Sequence, residues 1–295
     1  MYEKEVASIL DSYEKTGVIN LSEGMHYPPK ESVANILMHI KELLFPGFFG
    51  CQALLNHDIS TVTEDRLANV SKELGSAIEK SLLWNPSVDK RLDIKQAAQA
   101  SQRIIDTLFE GIPDLRLLLK NDAQAMYDGD PAANSVMEVI LSYPGFQAVI
   151  AYRIGHFLYE HQVPLIPRMI TEIAHQQTGI DIHPGAKIGH HFCIDHGTGI
   201  VIGETAVIGN HVKLYQGVTL GAFSTKKSLS KTKRHPTLKD NVTVYSMSTI
   251  LGGDTIIGEN SVVGGNVWLT HSLEANSKIY LSQDSKAYTL IKGDK

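Results

Sequence analysis

The chain has 295 residues, which is room for one large domain or two ordinary ones. Its 43% hydrophobic and 20% charged residues are typical of a globular protein, and a net charge of -5 argues against a general nucleic-acid binder. No stretch approaches the roughly 18 uninterrupted apolar residues that span a bilayer, and residues 1–10 lack the pattern of a secretory signal. We therefore expect neither a membrane nor a nucleic acid as partner. Two cysteines, Cys51 and Cys193, are too few for a disulfide framework and indicate a reducing cytoplasm.

The first 178 residues carry apolar side chains at helical spacing and are predicted to form an all-α domain. One helix is expected to begin after Pro28-Pro29 and to end at Phe45-Pro46-Gly47. The same spacing predicts further helices at residues 64–83, 91–109 and 114–127.

Three later segments complete the helical part. Asp130-Pro131 is predicted to open a helix, with the aspartate as N-cap and the proline at the first helical position. After a break at residues 143–145, an apolar stripe from Phe146 to Leu158 predicts the next helix. A last helix, about 165–177, is expected to stop at Gly179, because glycine favours the C-terminal cap.

From residue 180 the apolar period changes to six, which matches neither the 3.6 of a helix nor the two of a strand. It is the period of a hexapeptide parallel β-helix, in which each hexapeptide forms one side of a triangular coil. The aliphatic residue of each side points inward and its neighbours point outward, because strand side chains alternate. Thirteen positions are in register: Ile182, Ile188, Ile194, Ile202, Ile208, Leu214, Leu220, Leu238, Val244, Ile250, Ile257, Val263 and Leu269.

The repeat is interrupted most strongly between Leu220 and Leu238, where we predict a loop that leaves the coil. Beyond Leu269 the pattern fades. The predicted organisation is therefore a helical domain at 1–178, a hexapeptide coil at 179–281 and a loose polar tail at 282–295.

Polar residues concentrate on one part of the predicted coil. Asp181 flanks an inward isoleucine and should face outward, and His196 follows Asp195 at a corner. Asp181 and His196 are fifteen residues apart, which is close to one turn of three hexapeptides, and neighbouring coils stack about 4.8 Å apart. A carboxylate that holds an imidazole makes a general base. The competing interpretation is a solvated polar corner.

These residues resemble the signatures of the serine O-acetyltransferases, a family of hexapeptide-repeat acyltransferases. The resemblance covers residues 130 to 270, and the longer helical start is similar to the extended subgroup of this family. The motifs are Asp130-Pro131-Ala132, Tyr143-Pro144-Gly145-Phe146, Tyr152-Arg153-Ile154-Gly155-His156, Asp181-Ile182-His183-Pro184-Gly185-Ala186, Asp195-His196-Gly197-Thr198-Gly199, Ile202-Gly203-Glu204-Thr205-Ala206, Tyr215-Gln216-Gly217-Val218-Thr219-Leu220-Gly221 and Arg234-His235-Pro236.

The resemblance implies an α + β chain whose coil is a left-handed parallel β-helix. It also implies acetyl transfer from acetyl-CoA to the hydroxyl of L-serine, which gives O-acetyl-L-serine for cysteine synthesis. His196 aligns with the general base of the family and Asp181 with its partner. Carboxylates suit the ammonium of the substrate and a guanidinium suits its carboxylate. The implied L-serine site consists of Asp130, Asp195, Arg234 and His235.

Acetyl-CoA is expected to lie along the coil as a cosubstrate, and no metal is expected. Lysines in the loop before His235 would attract its phosphates, although a solvated basic loop is the plainer interpretation of each lysine: Lys226, Lys227, Lys231 and Lys233. Ala222 and the segment 245–248 are bulkier than the small residues of many relatives. The implied cofactor-binding residues are Leu220, Gly221, Ala222, Ser246 and Lys233.

The resemblance further implies a homo-oligomer, a trimer or a dimer of trimers, with active sites in the grooves between subunits. L-cysteine is a possible feedback inhibitor. The chain ends in Gly293-Asp294-Lys295, without the terminal isoleucine by which many relatives dock into the next enzyme. A complex with O-acetylserine sulfhydrylase is therefore doubtful.

Other functions fit parts of the pattern. An acetyltransferase acting on a sugar or on homoserine is the nearest alternative, and a non-catalytic oligomeric scaffold is another. A zinc-dependent β-helical carbonic anhydrase would use His191 and His196 with a third histidine, His211 or His235. Cys193, expected to face outward, is the candidate for a covalent route, although only nearby histidines would lower its pKa.

Overall fold

The computed structural model describes residues 2–16, 27–50, 58–84, 92–224, 226, 228, 232–281 and 288–292. Cys51, Lys227, Lys231 and residues 293–295 lie outside this part of the chain. No helix within it combines the length and the apolar character needed to cross a bilayer. The helices are α1 (Glu3–Thr16), α2 (Lys30–Leu44), α3 (Ile59–Leu83), α4 (Ile94–Gly129), α5 (Val136–Ser142), α6 (Pro144–Glu160) and α7 (Ile166–Thr178).

Helices α2, α6 and α7 lie where the sequence predicts them, and α3 begins five residues before the predicted start at 64. The end of α7 shows why the prediction worked. Gly179 has φ +69°, a left-handed conformation that glycine adopts without strain, and its N–H donates to the carbonyl of His175 at 2.8 Å.

The two helices predicted at 91–109 and 114–127 are a single helix, α4, with Pro113 inside it. A proline within a helix removes a backbone hydrogen bond and costs about 3 kcal/mol. Leu108 and Leu119, on either side of the proline, are both buried in the main core. Burial of such a side chain contributes about 1.5–3 kcal/mol, so packing keeps the helix continuous where sequence reasoning divided it.

Asp130 does not begin a helix, so this prediction was wrong. It follows the last residue of α4, and α5 begins later, with Ser135 as N-cap accepting a hydrogen bond from the N–H of Glu138 at 3.1 Å. The carboxylate of Asp130 instead accepts hydrogen bonds from the Ala132 N–H at 2.8 Å and the Tyr143 hydroxyl at 2.5 Å.

The described residues from 180 onward form three sheets that wrap around one core, and every strand pairing except that of the last strand is parallel. The strand orders are β1-β4-β7-β10-β13 in sheet one, β11-β8-β5-β2 in sheet two and β15-β14-β12-β9-β6-β3 in sheet three. The strands are β1 (Asp181–Ile182), β2 (Lys187–Ile188), β3 (Cys193–Asp195), β4 (Val201–Ile202), β5 (Val207–Ile208), β6 (Lys213–Tyr215), β7 (Thr219–Gly221), β8 (Thr237–Leu238), β9 (Thr243–Val244), β10 (Thr249–Leu251), β11 (Ile256–Ile257), β12 (Val262–Val263), β13 (Trp268–Leu269), β14 (Ser277–Leu281) and β15 (Tyr288–Lys292).

The inward positions of the hexapeptide pattern form the core of this coil. Twelve of the thirteen predicted aliphatic residues are buried, and the remaining one, Ile188, is partly buried against the same core. Each stands above its counterpart in the next coil; Ile182, Ile202 and Leu220, for example, are in register. The predicted α + β fold, a helical region followed by a hexapeptide parallel β-helix, is confirmed.

The helices pack directly on the first coil. α4 and α6 contact β3, and α6 and α7 contact β1. The approach is close at Gly145, where a β-carbon would lie 2.8 Å from the carbonyl oxygen of Ile194. One cluster of buried apolar residues runs from the helices into the coil. The division into two domains at 178/179 stays a prediction.

The far end of the coil differs from its prediction. Residues 288–292 form β15, which pairs antiparallel with β14. A loose tail was predicted, and for these five residues that was wrong. Without β15, the edge of β14 would present unpaired backbone N–H and C=O groups, and the pairing with β15 satisfies them.

Candidate active site

The corner between β3 and β4 carries the predicted general base. Asp195 ends β3, and His196 begins the turn in a left-handed conformation, with φ +58°. The turn lies on the preceding coil, because Gly199 donates its N–H to the carbonyl of Gly179 at 2.8 Å. Asp181 is two residues after Gly179 and is the first residue of β1. The corner therefore brings the predicted base and its predicted aspartate to neighbouring coils, and the His196 side chain is 71% exposed.

The carboxylate nearest to His196 is that of Asp195. Its Oδ1 lies 3.8 Å from His196 Nε2, which is an ion-pair distance and too long for a hydrogen bond. Its Oδ2 lies 3.1 Å from Lys213 Nζ. Asp195 was predicted to bind the ammonium of L-serine, and in this structure a lysine ammonium of the chain itself is beside it.

Asp130 belongs to the same electrostatic environment. The hydrogen bond from Tyr143 holds the pKa of Asp130 below its ordinary value, with smaller contributions from the Ala132 N–H and from the charges of Lys213 and His196. The same hydrogen bond raises the pKa of Tyr143 to about 12. Asp130 is thus a carboxylate held in place by its neighbours.

Asp181 has a different partner from the predicted one. Its Oδ1 lies 3.4 Å from Nη1 of Arg168 on α7, which also pairs with Glu172. Within the described part of the chain, no hydrogen bond or ion pair joins Asp181 to His196. The catalytic pair therefore stays a prediction.

A second polar group lies at the other edge of sheet one, where β4 turns toward β5. The guanidinium of Arg234 pairs with Glu204, whose Oε1 accepts a hydrogen bond from the Tyr159 hydroxyl at 3.0 Å. The backbone N–H groups of Arg234 and His235 donate to Thr205 Oγ1 at 2.9 and 3.0 Å. The segment that follows the basic loop is thereby fixed to the coil.

His235 is a buried neutral imidazole. Burial, and then the positive charges of Arg234 and Lys233, lower its pKa to about 4. The N–H of Thr205 donates to Nδ1 at 3.1 Å, so the ring proton of the neutral form is at Nε2. At Gly203 a β-carbon would lie 1.9 Å from the ring, which is why this position requires glycine. His235 can donate one hydrogen bond and carries no charge at neutral pH.

The predicted cofactor residues lie along the coil, and several of their groups already have partners. The Leu220 side chain is buried, and the carbonyl of Gly221 accepts from the Gly252 N–H at 3.1 Å. The carbonyl of Ser246 accepts from the Asn266 N–H at 2.9 Å. Ala222 directly follows β7. The assignment of these residues to acetyl-CoA stays a prediction.

Lys233 turns back on its own chain. Its ammonium donates to the carbonyls of His235 and Pro236, and burial lowers its pKa. A surface cavity of about 490 Å³ lies beside it and is also lined by Lys187 and Glu204. Lys233, a predicted cofactor residue, therefore forms part of the wall of this cavity.

Cys193 is buried, which corrects the expectation that it faces solvent. Helix α4 covers it: a β-carbon at Gly129 would lie 3.1 Å from its Sγ. Burial raises the pKa of the Cys193 thiol to about 12, so it stays protonated at neutral pH. A protonated thiol is a poor nucleophile, and the covalent route has no support.

The histidines of the zinc alternative do not converge. His191 stacks on His211 with ring centroids 4.2 Å apart, whereas His196 and His235 lie at the two other corners. Within the described residues, the one cluster with metal-ligand spacing is Glu172, His175 and Asp181, and the Arg168 guanidinium already pairs with both of its carboxylates. The zinc alternative is not favoured.

Sequence reasoning missed several residues of these two groups: Tyr143, Tyr159, Arg168, Glu204 and Lys213. A signal existed for Lys213, because it flanks the inward Leu214 and so faces outward next to the polar corner. Tyr143 and Glu204 belong to motifs that were recognised without a role. Arg168 and Tyr159 are on helices, and their approach to the coil depends on tertiary packing.

A helical region on a hexapeptide coil, with a histidine beside carboxylates at its corner, defines a β-helical acyltransferase. The family model "Serine acetyltransferase, N-terminal" matches residues 70–151. The plasmid serine acetyltransferase of Synechococcus elongatus is 41% identical over 267 residues, which are 87% of this chain and 82% of that protein. The chain belongs to the serine acetyltransferase family. The predicted family and enzyme class are confirmed.

Solved structures of serine acetyltransferases have a fold similar to that of this chain. Serine acetyltransferase 1 of Entamoeba histolytica, in complex with L-cysteine, has a TM-score of 0.71 and 32% identity, covering 92% of this chain and 97% of that one. A serine acetyltransferase in complex with CoA has a TM-score of 0.55 and 25% identity, covering 88% of this chain and 100% of that one.

Proposed function

We propose that this chain transfers the acetyl group of acetyl-CoA to the hydroxyl of L-serine, giving O-acetyl-L-serine for cysteine synthesis. The observation that carries the proposal is the exposed imidazole of His196, which lies beside the carboxylate of Asp195 and interacts electrostatically with that of Asp130. Family membership and the CoA complex of a relative support the acyl donor. A cytoplasmic location and the doubtful sulfhydrylase complex stay predictions.

In the proposed mechanism, His196 removes the proton of the serine hydroxyl while the oxygen attacks the thioester carbonyl. The tetrahedral intermediate then collapses, the C–S bond breaks and the imidazolium returns its proton to the CoA thiolate. Asp181 is proposed to orient the imidazole, which requires it to leave or share Arg168. A positioned base of this kind contributes about 10²–10⁴ to the rate. Attack is direct, without an acyl-enzyme.

The remaining proposed roles follow from charge. Asp130 and Asp195 receive the ammonium of L-serine, and Arg234 receives its carboxylate beside a neutral donor, His235. The guanidinium is held by Glu204, so the substrate must share or replace that pair. We assign Leu220, Gly221, Ala222, Ser246 and Lys233 to acetyl-CoA as a proposal.

The two halves of the proposed serine site lie at opposite edges of sheet one in a single chain. A second copy would complete the site if the His196 edge of one subunit met the Arg234 edge of the next. Exposed apolar side chains on the face between these edges, Val201 and Trp268, support such a contact. We propose a trimer or a dimer of trimers. Size-exclusion chromatography with light scattering should give a multiple of three chains, and a monomer would contradict the proposal.

The acceptor is tested by the release of CoA thiol. L-serine should exceed sugars in kcat/KM by at least about 10², because each charge-assisted hydrogen bond contributes about 1.5–3 kcal/mol and a sugar makes neither. L-homoserine should be at least about tenfold poorer, because one methylene displaces its hydroxyl. A sugar turned over faster than L-serine would reject the proposed substrate.

The same assay tests regulation. We propose that L-cysteine occupies the serine pocket, which the L-cysteine complex of a relative supports. L-cysteine shares the ammonium and carboxylate of L-serine, so its inhibition should be competitive with L-serine. Unchanged rates in excess L-cysteine would reject this.

A further inference from the structure

We propose that Lys213 is a positioning residue for the L-serine site, which fixes Asp130 of the helical region beside Asp195 of the coil. The inference rests on the proposed function, because it concerns the ammonium receptor of that site. It assigns a role to a residue that the sequence motifs left without one.

The ammonium of Lys213 joins three parts of the molecule. It lies 3.1 Å from Asp195 Oδ2 and donates to the carbonyl of Gly129, the last residue of α4. It also lies 4.6 Å from the centre of the Tyr215 ring. The side chain is 18% exposed, so most of the lysine is out of solvent.

The hydrogen bond from Lys213 to the carbonyl of Gly129 fixes the C-terminal end of α4 against the coil. The last carbonyls of a helix lack backbone partners, and a cation there is favoured by the helix dipole. The helix end comes close to the coil, since a β-carbon on Gly129 would lie 3.3 Å from Lys213 Nζ. Asp130 follows Gly129 directly, so the lysine fixes the start of the loop that carries this carboxylate.

Lys213 also sets the charge of the receptor. Asp130 and Asp195 carry two negative charges, and the substrate brings one ammonium. With Lys213 present, the three groups sum to one negative charge, which is equal and opposite to the charge of the substrate ammonium. Burial alone would lower the pKa of Lys213, but the adjacent Tyr215 side chain and the carboxylate of Asp195 raise it above its ordinary value. The lysine is therefore protonated at neutral pH.

The test compares Lys213→Met and Lys213→Gln with Lys213→Arg in the full-length protein. The neutral variants should raise KM for L-serine by about tenfold or more, which is about 1.4 kcal/mol of lost substrate binding. They should leave KM for acetyl-CoA unchanged and kcat within about threefold. Arginine keeps the charge and the donors and should restore most of the L-serine affinity.

The matched control is Lys278→Met. Lys278 is an exposed lysine at the equivalent outward position of sheet three, three coils further along, and should leave both KM values unchanged. An unchanged KM for L-serine in the neutral Lys213 variants would overturn the inference. So would loss of fold in both, which would make the lysine structural. A parent enzyme that forms no O-acetyl-L-serine would instead reject the proposed function.

Discussion

Replacing His196 by asparagine should lower kcat by at least about a hundredfold while the protein keeps its fold. The imidazole is the proposed base, and asparagine offers no group that can take the hydroxyl proton at neutral pH. Asparagine is the suitable replacement because it tolerates the left-handed φ of +58° at this corner better than alanine. The measurement is thiol release at saturating L-serine and acetyl-CoA, with circular dichroism to confirm the fold.

His211→Asn is the matched control. His211 is also an exposed histidine at a coil corner, with φ +55°, and it belongs to neither polar group. It should retain near-parental turnover. Near-normal rates in His196→Asn would show that another group is the base. Equal losses in the two variants would mean that corner geometry, rather than an imidazole base, limits the rate.

Arg153→Met should destabilise the protein by about 3–5 kcal/mol, because it leaves the buried carboxylate of Asp122 without its charge partner. Arg153 donates to both oxygens of Asp122, through Nε at 3.0 Å and Nη2 at 3.3 Å. It also donates to the carbonyls of Ile188 and Gly189 at 2.6 and 2.5 Å. Denaturant unfolding followed by circular dichroism measures the loss.

Two further variants test whether the loss of stability comes from the unpaired buried charge of Asp122. Arg168→Met removes a more exposed arginine from its carboxylates and should cost less than about 1 kcal/mol. Adding Asp122→Leu to Arg153→Met removes the stranded charge and should recover part of the lost stability. A cost for Arg153→Met no larger than that of Arg168→Met would contradict a structural role for the buried pair.

The coil was predictable residue by residue because every side of it imposes the same requirement. Ile202, Leu220 and Ile250 stand above one another, and each must fill the same space between three sheets. Because this inward position recurs about every six residues, the requirement appears in the sequence as a period of six in aliphatic residues. The break after Leu220 was equally readable: the described residues between 222 and 236 belong to no strand, and the coil resumes with β8 at Thr237.

Side-chain partners were less predictable. Sequence spacing placed Asp181 near His196, and the two are on neighbouring coils, but the aspartate pairs with Arg168 because α7 docks on β1. Cys193 occupies an outward position of its strand and is nevertheless buried, because α4 covers that face. Both outcomes depend on helix docking, which a repeat within the coil does not encode. The continuity of α4 through Pro113 likewise depends on tertiary packing, which the local sequence does not encode.

The contacts at the two ends of the coil have a consequence for assembly. A parallel solenoid with bare terminal rungs would invite another copy to stack on it and grow into a fibre. Here the helical region packs on the first coil, and at the far end β15 pairs antiparallel with β14, the last parallel strand of sheet three. We therefore expect the proposed trimer to associate through the flat faces of the coil rather than by lengthwise stacking, and such association closes into a ring of finite size.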